Sequence, residues 1–129
     1  MSYVDGFVLP VPKKNLQAYC RMAQEAGKVW RKHGALEYFE CVGDDLNPNT
    51  SGMKITTFPR MIKPKPGETV LFSFIVFKSR AHRDSVNKKV MDLFMNDPKY
   101  KDKYKDMPMP FDMKRMVYGG FKVLVEAKQ

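Results

Sequence analysis

In TVLFSFIVFK, residues 69–78, both alternating sets of side chains are apolar: Val70, Phe72, Phe74 and Val76 on one side, Leu71, Ile75 and Phe77 on the other. A period of two sends successive side chains to opposite faces of a sheet. A strand of this kind needs cover on both faces, so it belongs at the centre of a sheet with apolar layers above and below. The question for the rest of the chain is what supplies those two layers.

Two segments carry strong helical periodicity. From Lys13 to His33 the residues Leu16, Tyr19, Cys20, Ala23, Ala26 and Trp30 recur at spacings of three and four, and Gly34 stands where a helix terminator belongs. After residue 78, Ser79 is a good N-cap, and His82, Val86, Val90, Leu93 and Phe94 form the stripe of a second helix that ends near Asn96-Asp97-Pro98. DPKYKDKY, 97–104, carries the signal of a further short helix with Pro98 in its first turn.

Strand signals fill the remainder. YVDGFVLPV, 3–11, is aromatic and β-branched and ends at prolines; ALEYFECVGDD, 35–45, alternates with period two; MVYGGFKVLVEA, 116–127, is a long last strand in which Gly119 and Gly120 predict a bulge or a close backbone approach. The loop LNPNTSG and the segment MKITTFPRMI receive no regular assignment beyond a short irregular strand or turn. The order strand, helix, strand, strand, helix, strand is the split βαβ pattern of a ferredoxin-like α+β fold with an antiparallel four-stranded sheet.

Two helices cover one face of such a sheet. The second apolar face of 69–78 would then form a patch that soluble monomers rarely leave open, which predicts a homodimer with its sheets packed face to face. At 129 residues and 15.0 kDa the chain is expected to be a single domain over 1–129.

Composition narrows the function classes. The net charge of +9 invites a nucleic-acid reading. However, the lysines are scattered, the densest run KYKDKYKD alternates with Asp, and Lys outnumbers Arg 17 to 6 where bidentate base and phosphate recognition favours Arg. Specific nucleic-acid binding is therefore not expected, and a nucleic-acid-associated role stands as the least favoured alternative. The longest apolar run, VLFSFIVF, is far short of the roughly 20 residues that cross a bilayer, and MSYVDGF lacks a secretory pattern. Cys20 and Cys41 form no metal or disulfide framework, which points to a reducing cytoplasmic setting.

YVDGFVLPVP (3–12), VWRKHGALEYFECVGDD (29–45), VFKSRAHRDSVN (76–87) and MPFDMKRMVYGGF (109–121) together resemble the YbaA-like family of bacterial proteins. The resemblance spans nearly the whole chain. It implies membership of the dimeric α/β-barrel superfamily, in which two ferredoxin-like protomers join their sheets around a cavity. It carries no catalytic residue over, because that superfamily contains monooxygenases, isomerases, haem proteins and ligand-sensing domains alike, and a shared fold does not select among them.

Site candidates come from residues placed against the grain of their element. Arg80 and Arg83 open a helix whose positive end disfavours them. Either they hold an anion with the free backbone N–H groups, or they pair with carboxylates such as Glu37, Asp44 or Asp45. His33 and His82 stand at helix ends, as acid–base groups or as hydrogen-bonded structural side chains. Glu40 and Asp5 lie on otherwise apolar strand faces, where a carboxylate must be hydrated, paired or shifted in pKa. Tyr118 beside the glycine pair is a further cavity candidate.

The catalytic candidates are thus Glu40, His33 and His82, and the ligand-binding candidates Arg80, Arg83, Asp5 and Tyr118. No metal site and no cofactor is expected: the ten methionines suit adaptable packing, and no GxSxG, Walker, GxGxxG or HExxH motif is present. The readings that remain are a homodimer binding a small anionic or aromatic molecule between its sheets, and a cofactor-independent monooxygenase-like or isomerase-like enzyme acting on such a molecule. Alternation alone leaves open which strand faces line the cavity.

Overall fold

The computed structural model describes residues 1–129, the side chain of Tyr104 excepted. Four strands, β1 (Tyr3–Pro12), β2 (Glu37–Val42), β3 (Glu68–Phe77) and β4 (Val117–Lys122), form one antiparallel sheet in the order β2-β3-β1-β4. The helices are α1 (Leu16–Lys32), α2 (Phe58–Ile62), α3 (Arg80–Asn96) and α4 (Pro98–Tyr104). With α1 joining β1 to β2 and α3 joining β3 to β4, this is the expected ferredoxin-like fold. The sheet is open, with β2 and β4 at its edges, so no barrel is closed within the chain.

Local chemistry sets the boundaries. Pro10 and Pro12 close β1, and a 3-10 turn over Lys13–Asn15 leads into α1. Gly34, at φ 121°, ends that helix: its N–H donates to the Arg31 carbonyl and the Ala35 N–H to that of Trp30. Ser79 caps α3 as expected, its hydroxyl accepting the His82 N–H at 3.1 Å.

One face of the sheet lies under the helices. Tyr3, Ile75 and Phe77 pack against Val29, Ala35, Val86 and Val90, and a second cluster joins Leu9, Val11 and Leu71 to Tyr19 and Ala23. The opposite face carries the other alternating set. There Phe39 stacks on Phe74 with ring centroids 5.0 Å apart, Phe72 lies beside Phe74, and Val117 and Phe121 stand on β4. Phe39, Phe72, Val117 and Phe121 are 47, 43, 55 and 61% exposed, so most of this face has no cover from its own chain.

Three elements depart from expectation. The segment left without regular structure contains α2, capped by Thr57, whose hydroxyl accepts the Arg60 N–H at 3.3 Å, with Pro59 in the first turn. Phe58 of this helix meets the edge of Phe72, so α2 covers one end of the open face. β2 stops at Val42, and β4 stops at Lys122 because β1 begins at Tyr3 and leaves nothing further to pair with after Val123 donates to the Ser2 carbonyl.

The third departure is the expected bulge at Gly119 and Gly120, since the register runs unbroken through Gly119 opposite Gly6 and Gly120 opposite Asp5. The glycines serve side chains instead. A Cβ on Gly120 would overlap the Arg83 guanidinium and the Tyr3 hydroxyl, while on the other face the Phe121 ring lies 3.6 Å from where a Cβ on either Gly6 or Gly119 would stand.

Candidate functional site

Asp5, Arg83 and Tyr118 form one cluster and Glu40 centres another, both on the helix-covered side of the sheet, while Arg80, His33 and His82 belong to neither. The first lies beneath α3. Asp5, on β1, is 1% exposed, and Arg83 reaches down from the first turn of α3 to place its Nε 3.2 Å from the carboxylate. This is a contact of charges without a well-aligned hydrogen bond. The hydrogen bonds come from around it: the Asn87 amide donates to Asp5 at 3.1 Å, and the Trp30 indole N–H donates to Asn87 at 2.9 Å.

The Arg83 Nη2 donates to the Tyr3 hydroxyl at 3.0 Å, its guanidinium carbon lies 4.8 Å from the centre of the Tyr3 ring, and Nη1 meets Asp84 at 2.9 Å. Tyr118 stacks on Phe7 at 4.7 Å, and burial followed by the charge of Asp5 pushes its hydroxyl pKa above the ordinary phenol value.

In this arrangement Arg83 has carboxylate partners. The partners are Asp5 and Asp84 rather than Glu37, Asp44 or Asp45, because Arg83 points into the sheet and not outward. Its Nη1 and Nη2 are engaged by Asp84 and Tyr3 and its Nε faces Asp5, so it ties helix to sheet; Arg80 beside it is exposed. His82 is structural in its contacts as well. Its Nδ1 accepts the Lys78 N–H at 3.0 Å, its ring meets Phe77 edge-on, and its Nε2 faces Gly34. His33 is the half-buried C-cap of α1, its N–H bonded to the Val29 carbonyl.

The second cluster stands in a cleft. Between α1 and the edge strand β2 lies a cavity of ≈ 800 Å³, with a mainly apolar wall from Leu16, Ala23 and Leu71 and with Glu40 as its acid. The Glu40 carboxylate accepts the Tyr19 hydroxyl at 2.7 Å and the Tyr38 hydroxyl at 3.3 Å. Ser73, opposite it on β3, supplies a third hydrogen bond. The cluster is built by three local choices. Period two puts Tyr38 and Glu40 on one face of β2, Tyr19 lies on the buried stripe of α1, and Gly27 removes the side chain that would collide with the Tyr38 ring, where a Cβ would lie 2.7 Å from Cδ1.

Electrostatics fixes the roles of these groups. Burial raises the pKa of Glu40, and the hydrogen bonds from Tyr19, Tyr38 and Ser73 only partly offset it. Burial first and the Glu40 charge second push both tyrosines far above the usual phenol range, so they remain proton donors to Glu40 at any physiological pH.

The sign of the linkage for Glu40 follows. A carboxyl with a raised folded-state pKa binds its proton more tightly folded than unfolded, so stability falls as pH rises from the ordinary carboxylate value through the raised one. Glu40→Gln removes that slope. Its unfolding midpoint relative to the parent is expected to improve as pH rises above the ordinary carboxylate value of about 4 in a urea titration series, whereas a widening deficit would contradict the burial described here.

Alternation left open whether Glu40 and Asp5 face a partner sheet; both face the helices. The cleft brings together Glu40 with Tyr19 and Tyr38, which no motif flagged, and it does not include His33, His82, Arg80, Arg83, Asp5 or Tyr118. The signal that could have found the tyrosines was the Tyr38-x-Glu40 spacing read against the inward stripe of the preceding helix. A second cleft of ≈ 670 Å³ lies between α1 and the 105–113 segment, where Trp30 and Phe94 meet Met107, Met109 and Met113. Among the described residues no three His, Cys, Asp or Glu side chains converge as a metal site, and no helix is long and apolar enough to cross a membrane.

Comparison with known proteins agrees with this architecture. The model of the DUF1428 family, described as proteins of unknown function, matches residues 2–113. The uncharacterized protein YbaA of Escherichia coli strain K12 is 39% identical over 126 residues, covering 98% of this chain and 99% of the relative, and YbaA of Shigella flexneri matches to the same extent. Among solved structures, a dimeric ferredoxin-like protein from an uncultured marine organism superposes with a TM-score of 0.59 at 10% identity, over 98% of this chain and 100% of that one. At that identity the likeness speaks for the fold.

Proposed function

We propose that this chain, which belongs to the DUF1428 protein family, works as a homodimer that binds a small molecule in the cleft between α1 and β2 of each protomer. The observation that carries the binding reading is Glu40. A partly desolvated carboxyl, held by two tyrosines on the wall of a mainly apolar ≈ 800 Å³ cleft, is a costly feature that also reaches the cleft surface. The two polar networks thus divide the work. Asp5 and Arg83 balance each other's charge inside the protein, while Glu40 lines the cleft.

The homodimer rests on the uncovered apolar face of the sheet, and on the dimeric state of the structurally similar protein. Pairing of two such faces would give the two-sheet arrangement of a dimeric α/β barrel, with the binding clefts outside the joint rather than between the sheets. Both cysteines are free and exposed, which supports a reducing cytoplasmic setting. The second reading is a cofactor-independent enzyme on the same cleft, favoured by the position of Glu40 on the cleft wall, where burial raises its pKa and makes the carboxylate a better proton acceptor.

Native mass spectrometry of gently purified protein tests the proposal. The expected spectrum shows the dimer carrying a reproducible small adduct that Glu40→Ala loses. An adduct retained undiminished by Glu40→Ala, or no uptake of any small molecule from a metabolite extract, would overturn it.

A further inference from the structure

We infer that the cleft between α1 and β2 takes a hydroxylated aromatic acid, with a ring hydroxyl donated to Glu40 and the acid group held at a basic rim; this rests on the binding reading above. The argument starts from the acceptor capacity of Glu40. An ionised carboxylate offers about four lone-pair sites. Tyr19, Tyr38 and Ser73 occupy three, and the remaining one belongs to a group that lines the cleft. What it lacks is a donor, and both neighbouring tyrosines already donate to it.

The body of the ligand follows from the walls. Leu16, Ala23 and Leu71 are apolar, and the Tyr19 and Tyr38 rings border the same space. A flat apolar ring gains from burial against such a surface and from contact with the aromatic faces.

The charge of the ligand follows from the rim. Lys28, Arg31 and Lys32, all exposed on the last turns of α1, line the cleft, and Glu40 is the lone acid among its lining residues. With three cations and one anion among the lining residues, an ammonium ligand meets mostly like charge, whereas a carboxylate meets mostly opposite charge. The helix C-terminus, which favours cations, explains how three of them are tolerated there. A ligand carrying both a ring hydroxyl and a carboxylate can engage Glu40 and the basic side chains together.

Calorimetric titration with 4-hydroxybenzoate, benzoate, 4-hydroxybenzyl alcohol and 4-(aminomethyl)phenol separates these contributions. 4-Hydroxybenzoate is expected to bind at least about tenfold more tightly than each of the other three, since one charge-assisted hydrogen bond is worth that much. Glu40→Gln should erase the preference over benzoate while keeping the preference over the alcohol, and the Lys28→Gln, Lys32→Gln double variant should do the reverse. Equal binding of all four, or tightest binding of the amine, overturns the ligand class and leaves the cleft as a binding site. If none binds, the small adduct of the native dimer decides: an adduct lost in Glu40→Ala means that only the class is wrong, and its absence means that the binding reading fails as well.

Discussion

Replacing Arg83 with alanine is expected to cost about 3–5 kcal/mol of folding stability, the range found when one partner of a buried ion pair is removed. The cause is Asp5. At 1% exposure it cannot recruit water, and without Arg83 it keeps the Asn87 amide but loses its compensating charge. Arg83 also lends its aliphatic stem and guanidinium to the Tyr3 ring, so the substitution removes packing as well as charge.

The interpretation is separable from a general intolerance of the site. A double variant, Asp5→Val with Arg83→Met, removes both charges and should recover most of the loss, because an apolar pair of similar volume costs little beside an uncompensated charge. Urea unfolding of the two single variants and the double variant reads this directly as a coupling energy. Additive losses would show that Asp5 and Arg83 stabilise the protein through other neighbours.

The second large effect concerns assembly. Phe72→Asp is expected to abolish the proposed pairing of sheets and leave a monomer with the fold intact. Phe72 projects from the central strand onto the open face, where it touches Phe74 and the edge of Phe58. Burying a phenylalanine contributes about 1.5–3 kcal/mol, and a carboxylate in its place would have to be desolvated in a paired-sheet joint. Within one chain Phe72 is 43% exposed, so the monomer has little to lose. Circular dichroism of the variant should match the parent while its thermal midpoint becomes independent of protein concentration. Global unfolding of Phe72→Asp would instead place Phe72 inside the protomer's own stability.

Much of the fold was legible in the sequence because its signals were local and redundant. The two helical stripes, Ser79 and Gly34 as terminators, and the two-sided strand at 69–78 each have one straightforward solution. The helix α2 was not legible, since a Thr cap and a proline in a loop rich in turn residues read equally well as punctuation. The lengths of β2 and β4 depend on where their neighbours begin and end, which no single segment encodes.

The site was legible only in part. Glu40 and Asp5 were found as carboxylates on apolar faces, but the faces themselves could not be assigned because both sides of β1 and β3 are apolar; only the placement of α1 and α3 breaks that tie. Arg83 and Arg80 read alike in sequence, yet one is drawn into the sheet and the other is exposed. Tyr19 was visible as a residue of the helical stripe and gained its second meaning from a contact with Glu40 across 21 positions of chain, whereas Tyr38 lies two positions from Glu40 on the same strand. Gly120 likewise reads as a backbone device until the Arg83 guanidinium is seen to need its space.

The most direct test is sedimentation equilibrium on the unsubstituted protein at micromolar concentration. The open apolar face predicts a species of twice the 15.0 kDa chain mass, with Phe72→Asp sedimenting as a single chain beside it. A parent protein that sediments at the mass of one chain under the same conditions would contradict the paired-sheet assembly.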